Sequence, residues 1–237
     1  MTYPRGMIVR TTAAMRINHW LTAGCFVLLV LSGLSMFDPL LFWLSGLFGG
    51  GQWTRAVHPW IGCVLLASYL GLIVQFWRDN LPSRRDVRWL AKINRVVVNE
   101  ERGVPKVARF NAGQKIVFWG MAFLIPVLFF TGLVAWEVYF GRYTSIETQR
   151  IAILIHSLCA VAAIILWIVH VYAAIWISGS MRGMTQGYVT PGWAWRHHQL
   201  WLRRLVDAGS RGPTPRSNRD LDEAARHGPI VDERRSK

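Results

Sequence analysis

The chain has 237 residues, of which 52% are hydrophobic and 13 are tryptophan, yet its formal net charge is +14. This combination is unusual for a soluble domain and requires that apolar and charged residues occupy separate segments. It predicts an integral membrane protein and no nucleic-acid partner, because the basic residues are divided among three separate flanks.

Four apolar windows are long enough to cross a membrane, since about 20 apolar residues span the ~30 Å hydrocarbon core. They predict helices over about 13–37, 54–77, 113–136 and 151–177. Three arginines precede the first window, but it is too long for a signal peptide and no small-residue cleavage site follows it. The fold class is therefore an all-α membrane protein, a four-helix up-down bundle.

The basic residues predict the orientation of these helices. Three lie before His19, ten lie in Arg78–Lys115 and eleven follow Ser178, whereas the other two connections together hold three. Because lysine and arginine in short flanks stay on the cytoplasmic side, both termini are predicted to be cytoplasmic. The positive charge is also suited to contact with anionic membrane lipid.

The connections between the windows differ in character. The glycine-rich segment Phe37–Trp53 is too short to span and predicts an interfacial segment on the non-cytoplasmic side. LPSRRDVRWLAKINRVV, in the basic connection, predicts a short amphipathic helix after its proline and serine.

The His197–His198 pair is predicted to be a surface feature at the interface. We divide the chain into a membrane domain, 1–206, and a basic, disordered cytoplasmic tail, 207–237.

Four of the seven histidines, His19, His58, His156 and His170, lie in the apolar windows. A single histidine of this kind is most simply a packed side chain with a hydrogen-bond partner. Polar groups inside a membrane are costly unless they are satisfied, so four together favour a functional site.

Their depths and faces group these histidines in pairs. His156 and His170 are 14 residues apart, which is a rise of about 21 Å, and about 100° per residue places both on one face of the helix. Helices one and two enter from opposite sides of the membrane. His19 is therefore predicted to lie level with His170, and His58 level with His156.

Two histidines per layer, from different helices and surrounded by apolar residues, suit the two axial positions of a six-coordinate haem. Zinc fits less well, because two histidines fill only half of a tetrahedral site. A proton relay is also disfavoured, because the windows hold no Asp or Glu apart from boundary residues. The pattern predicts two b haems in the core of the bundle.

A polar cluster, RFNAGQK, marks the start of the third helix. Asn111, Gln114 and the backbone around Gly113 offer hydrogen-bond donors for a quinone carbonyl. The same residues also suit an ordinary helix start that is capped by Asn111, and this alternative stays open.

Six stretches run in the same order as in a known family: MIVRTTAAMRINHW, TRAVHPWIGC, FNAGQKIVFWGM, ILIHS, IVHVYAAIWISGSMRGMTQGYV and WAWRHH. Between Met7 and about Trp201 the chain resembles the gamma subunit, or membrane cytochrome b, of respiratory formate dehydrogenase. The resemblance implies that His58 and His156 bind the periplasmic-side haem b, and that His19 and His170 bind the cytoplasmic-side haem b.

The resemblance also implies that menaquinone or ubiquinone accepts the electrons beside Asn111, Gly113, Gln114 and His170. It implies an iron–sulfur beta subunit that donates electrons and a molybdenum or tungsten alpha subunit that oxidises formate, so no catalytic residue for formate is expected in this chain. The setting is the bacterial inner (cytoplasmic) membrane, and higher oligomers of the complex stay open.

Two alternatives remain at this point. One is a di-haem cytochrome b subunit of a hydrogenase or thiosulfate reductase, which shares the four-helix plan. The other is a haem-free membrane anchor or transporter, in which the histidines only pack.

Overall fold

The computed structural model describes residues 6–98, 100 and 102–210. The chain divides into two units. The spanning unit consists of Ile17–Trp77 and Ile116–Tyr172, and the connection unit consists of the described residues of Met1–Arg16, Arg78–Lys115 and Ala173–Lys237. We describe each unit by itself.

Almost all of the regular structure is helical. The α-helices are, in chain order, α1 (Ala13–Phe37), α2 (Gly51–Phe76), α3 (Arg84–Leu90), α4 (Ile93–Val97), α5 (Ala112–Ala135), α6 (Glu137–Phe140), α7 (Ile146–Trp176), α8 (Ser180–Thr185), α9 (Pro191–His197) and α10 (Gln199–Ser210). Two 3-10 helices cover Pro39–Phe48 and Gly141–Tyr143, and two strands, β1 and β2, cover Ile8–Val9 and Tyr188–Val189.

Four of these helices, α1, α2, α5 and α7, are long and apolar enough to cross a membrane. This confirms the four predicted spans. Two of them begin three or more residues earlier than predicted, at Gly51 instead of 54 and at Ile146 instead of 151. In α7 the reason is local, because the Ser145 hydroxyl accepts a hydrogen bond from the Thr148 backbone N–H and so starts the helix in a polar segment that a hydropathy scan misses.

Polar side chains join α1 to α2 inside the spanning unit. Asn18 Nδ2 donates to the Ser68 carbonyl at 3.0 Å, and the Thr22 hydroxyl donates to Ser68 Oγ at 3.0 Å. A Cβ on Gly71 would lie 2.8 Å from Asn18 Nδ2, so the glycine makes room for this amide. The two helices are thus held at one register, which fixes the position of His19, the next residue after Asn18.

The connection unit contains a small core that the sequence does not predict. β1 and β2 pair antiparallel, with Ile8 opposite Val189. Ile8 and Val189 pack with Ala194 and Trp201. The first residues before α1 are therefore joined to the segment that follows α7.

The predicted amphipathic helix is present as α3, which begins directly after Ser83. The Ser83 backbone N–H and hydroxyl both donate to Asp86, which also pairs with Lys115 at 2.9 Å. Burial alone would raise the pKa of the Asp86 carboxyl, but the hydrogen bonds from Lys115 and Ser83 outweigh burial and hold this pKa below its usual value. The ion pair that joins α3 to the start of α5 therefore persists into mild acid.

Two predictions concern the end of the chain. The interpretation of His198 as a surface feature is wrong, because its side chain is only 2% exposed. α10 continues to Ser210, past the proposed boundary at 206, and the rest of the predicted tail, 211–237, lies outside the described residues. The division into a membrane domain and a disordered tail stays a prediction.

Candidate functional site

Two histidine pairs lie within the spanning unit. The imidazole centroids of His19 and His170 are 6.3 Å apart, and those of His58 and His156 are also 6.3 Å apart. These are the pairs that the depths and faces of the helices predict. Each pair takes one ring from α7 and one from an earlier helix, α1 or α2.

The spacing of each pair suits two imidazoles that ligate one metal ion from opposite sides. A metal–nitrogen bond is about 2.0–2.1 Å long, and the centroid of an imidazole lies about 1.1 Å beyond the ligating nitrogen. Two such ligands on opposite sides of one ion have centroids about 6.3 Å apart. A direct hydrogen bond between the two rings would bring them closer.

Hydroxyl groups fix the tautomer in the His58–His156 pair. Ser32 Oγ donates to the Leu28 carbonyl at 2.8 Å and lies 2.7 Å from His58 Nδ1. Because its only hydrogen is directed at the carbonyl, Ser32 Oγ accepts a hydrogen bond from His58 Nδ1–H. This leaves the lone pair on Nε2, which is the form of histidine that binds a metal.

Thr131 has the same role for His156. Its Oγ1 donates to the Val127 carbonyl at 2.7 Å and lies 3.0 Å from His156 Nδ1. The two Nδ1 atoms of this pair are thus satisfied by α1 and α5, and both Nε2 atoms are available as ligands. The sequence alone does not identify either hydroxyl as a histidine partner, because this depends on how each helix is rotated about its axis relative to its neighbour.

Glycines lie beside the same two imidazoles. A Cβ on Gly33 would lie 3.6 Å from His58 Cε1, and a Cβ on Gly132 would lie 3.3 Å from His156 Cε1. A side chain at Gly132 would therefore press on the ring that Thr131 orients. In the other pair, His19 Nδ1 is buried without a hydrogen-bond partner in the described part of the chain.

The residues predicted to contact quinone fall in both units. Asn111, Gly113 and Gln114 belong to the connection unit, and His170 belongs to the spanning unit. The Gln114 N–H donates to Asn111 Oδ1 at 2.8 Å, and the Asn111 N–H donates to Gln114 Oε1 at 3.0 Å. This reciprocal cap starts α5 and uses both amide oxygens, while the two NH2 groups remain donors.

Comparison with known proteins identifies the family. The sequence profile described as prokaryotic cytochrome b561 matches residues 10–187. The chain is 42% identical to the cytochrome b556(fdo) subunit of formate dehydrogenase from Escherichia coli over 85% of this chain and 94% of the relative. It is 38% identical to the cytochrome b556(Fdn) subunit of the nitrate-inducible formate dehydrogenase of the same species, over 86% and 94%.

A third relative comes from another organism. The chain is 36% identical to the cytochrome b556 subunit of formate dehydrogenase from Haemophilus influenzae, over 84% of each protein. The profile match covers all four histidines of the two pairs and the start of α5. On these similarities, and with four helices that can cross a membrane, the chain belongs to the prokaryotic cytochrome b561 family.

Proposed function

We propose that this chain is the membrane cytochrome b subunit of a formate dehydrogenase and that it passes electrons from a partner subunit to membrane quinone. The observation that carries the proposal is the pair of equal 6.3 Å spacings between histidine rings on helices that can cross a membrane. The names of the relatives support formate as the source of the electrons.

Membership of the cytochrome b561 family implies haem b. The residues suit two such groups, with His58 and His156 holding one and His19 and His170 holding the other. A bound haem supplies one-electron chemistry. The four imidazoles would hold the haem groups, and the hydroxyls of Ser32 and Thr131 orient the imidazoles of one pair.

Quinone is proposed to bind at the start of α5. Asn111 and Gln114 would donate from the NH2 groups that their reciprocal cap leaves available, and Gly113 would allow close approach to the backbone. A contact between quinone and His170, and the choice between menaquinone and ubiquinone, stay predictions. The cap and the quinone site are compatible, because they use opposite ends of the same two amides.

The proposal includes the setting of the chain. An iron–sulfur subunit would deliver electrons at the periplasmic side, and a molybdenum or tungsten subunit would oxidise formate. Both termini would lie in the cytoplasm, and the bacterial inner membrane would hold the complex. The charge distribution supports this orientation, since most of the lysine and arginine residues lie in the terminal flanks and in Arg78–Lys115.

Membranes that contain the chain, produced together with the products of its neighbouring genes, test the electron source. Formate should reduce the b-type haems within the turnover time of the complex, hydrogen should not reduce them, and thiosulfate, which is an electron acceptor, should not reoxidise them. Reduction by hydrogen but not by formate would indicate a hydrogenase subunit instead. A chain purified without any pyridine haemochrome signal would be a haem-free anchor or transporter.

Removing the hydroxyl at Ser32 is expected to weaken haem binding at one pair. Ser32→Ala leaves His58 Nδ1 without its acceptor, and loss of such an outer partner typically lowers metal affinity about 10- to 100-fold. We expect faster haem loss for about half of the bound haem when the purified chain is incubated with apomyoglobin. Ser35→Ala is the control, because the Ser35 hydroxyl donates to the Ser32 carbonyl and not to a histidine. Equal haem loss from both variants would contradict the assigned role.

Two substitutions at Gln114 separate quinone binding from helix capping. Gln114→Ala removes the cap and the NH2 donor, whereas Gln114→Glu keeps an oxygen for the Asn111 N–H, removes the donor and adds a negative charge. A lost hydrogen bond of about 1 kcal/mol corresponds to a rise of roughly fivefold in the apparent KM for quinone. We expect this rise in both variants, with unchanged haem spectra. A normal KM for Gln114→Glu would assign Gln114 to capping alone.

A further inference from the structure

The connection unit contains a pocket of about 220 Å³ whose lining is strongly basic. It lies among the ends of α3, α5 and α10 and the segment 105–110. Six of the lining residues carry a positive charge: Arg78, Arg85, Lys106, Arg109, Lys115 and Arg204. Two carry a negative charge, Asp79 and Asp86.

Both carboxylates of the pocket already have partners. Arg109 pairs with Asp79 at 2.9 Å, and Lys115 pairs with Asp86 at 2.9 Å. In the described part of the chain, no ion pair is formed by three other basic residues of the lining. Those three are Arg85, Lys106 and Arg204. A concave surface lined by one sign of charge concentrates the field and attracts an anion.

The remaining lining is apolar. Trp89, Phe110 and Leu200 contribute to the walls, and Trp89 is buried. The basic and apolar groups together suit a ligand that has an anionic head and a hydrocarbon part. A small inorganic anion would use only the first of these features.

The chain position of the pocket points to the same class of ligand. Leu81 lies five residues after Phe76, where the membrane-crossing helix α2 ends, and Lys115 is the fourth residue of α5. Residues this close to the end of a membrane-crossing helix lie at the depth of lipid headgroups. On this argument, the pocket lies near the layer in which phospholipid phosphates are found.

We propose that this pocket is a specific site for the phosphate headgroup of an anionic phospholipid, held by Arg85, Lys106 and Arg204. Guanidinium and ammonium groups form charge-assisted hydrogen bonds to phosphate oxygens, and arginine can do so with two donors at once. The paired side chains of Arg109 and Lys115 also line the pocket. The pocket adjoins the proposed quinone site, because Asn111 is also one of its lining residues, whereas Arg85, Lys106 and Arg204 are not among the proposed quinone contacts.

Adjacent arginines supply a matched pair of variants. Arg85 and Arg204 line the pocket, whereas their sequence neighbours Arg84 and Arg203 do not. Both neighbours are also exposed and lie on the same two helices, α3 and α10. The double variants Arg85→Gln/Arg204→Gln and Arg84→Gln/Arg203→Gln therefore remove the same charge from the same elements. Lys106→Gln is a further single variant in case the first double variant does not fold.

The experiment titrates the full haem-loaded chain in neutral detergent with dioctanoyl phosphatidylglycerol and counts bound lipid by native mass spectrometry. Dioctanoyl phosphatidylcholine is the neutral control, and inorganic phosphate is the competitor. We expect one saturable phosphatidylglycerol site, at least about tenfold weaker in Arg85→Gln/Arg204→Gln and within about twofold of wild type in the control variant. Lys106→Gln should weaken the same site.

Three results would overturn the proposal. Equal weakening in both double variants would mean diffuse attraction between lipid and the basic surface. Saturable binding of inorganic phosphate without a saturable lipid site would identify a free-anion site. A gain of about tenfold in lipid affinity when residues 211–237 are removed would show that the C-terminal segment of the chain itself is the occupant.

Discussion

Replacing His156 by alanine is expected to remove about half of the b-type absorbance in reduced-minus-oxidised spectra of membranes. The imidazole of His156 lies 6.3 Å from that of His58, centroid to centroid, so alanine would leave His58 as the only axial ligand of that pair. His19 and His170, at their own 6.3 Å spacing, should keep the other half of the signal. If each histidine pair holds a haem and the two act in series, as proposed, electron transfer from formate to quinone should fall by at least about a hundredfold.

His170→Ala should remove the other half of the b-type absorbance. The two variants together therefore assign one portion of the spectrum to each histidine pair. His197→Ala is the control, because this histidine lies on α9, outside the four helices that can cross a membrane. Quantification by pyridine haemochrome per mole of chain makes the result independent of expression. A full signal that survives His156→Ala and His170→Ala alike would exclude the proposed ligation.

The four spans and the histidine pairing are largely local properties, which is why the sequence predicts them. A window of about 20 apolar residues has few alternatives to a membrane helix, because every backbone polar group must be satisfied inside the segment. The spacing of His156 and His170 on one helix then follows from its periodicity. To predict which histidine pairs with His156 and which with His170, one needs in addition only the directions in which the neighbouring helices run.

The connection unit depends on contacts between distant parts of the chain, and these are not visible in the sequence. Each strand has only two residues, and Ile8 meets Val189 from the opposite end of the chain. Neither strand has the alternating pattern that predicts strands over four or more residues. No local pattern in the sequence therefore indicates that the charged residue Arg10 and the polar residue His198 are buried.

Arg10 explains how this unit accommodates a buried cation. Its guanidinium lies 4.6 Å from the centre of the Trp201 ring and donates to the Arg109 carbonyl at 2.5 Å, while Arg109 donates back to the Arg10 carbonyl at 2.9 Å. Aromatic faces and carbonyl oxygens thus replace a carboxylate partner. The Arg10 Nη2 group also lies 3.4 Å from His198 Nε2, so this nitrogen is directed at a positive charge.

Acid is expected to destabilise the connection unit through His198. Its Nδ1–H donates to the Ala108 carbonyl at 2.7 Å and its Nε2 faces Arg10, so the ring is neutral in the folded chain.

Burial, together with the charge of Arg10, holds the pKa of His198 well below its usual value, although the hydrogen bond to Ala108 opposes this shift. The nearby charged or titratable groups are Arg10, Arg109 with its partner Asp79, and His197. Below a pH of about 6.5 the unfolded chain binds a proton at His198, whereas the folded chain does not. The stability that the neutral ring contributes is therefore complete above that pH. Below it, the free energy of unfolding falls by up to about 1.4 kcal/mol per pH unit until the pKa of His198 in the folded chain is reached.

Hydrogen exchange of the peptides around Val189 and Trp201 between pH 8 and 5, corrected for intrinsic rates, measures this loss as faster opening of the small core that contains both residues. His198→Gln cannot take up the proton, so its core should open more readily at pH 8 but with little further change on acidification. His197→Gln, which alters the adjacent and less buried imidazole, should keep the wild-type pH dependence. If His198→Gln retained the full acid-dependent loss of protection, another group would have to be the one that is protonated, and His198 would have no part in the acid sensitivity of the unit.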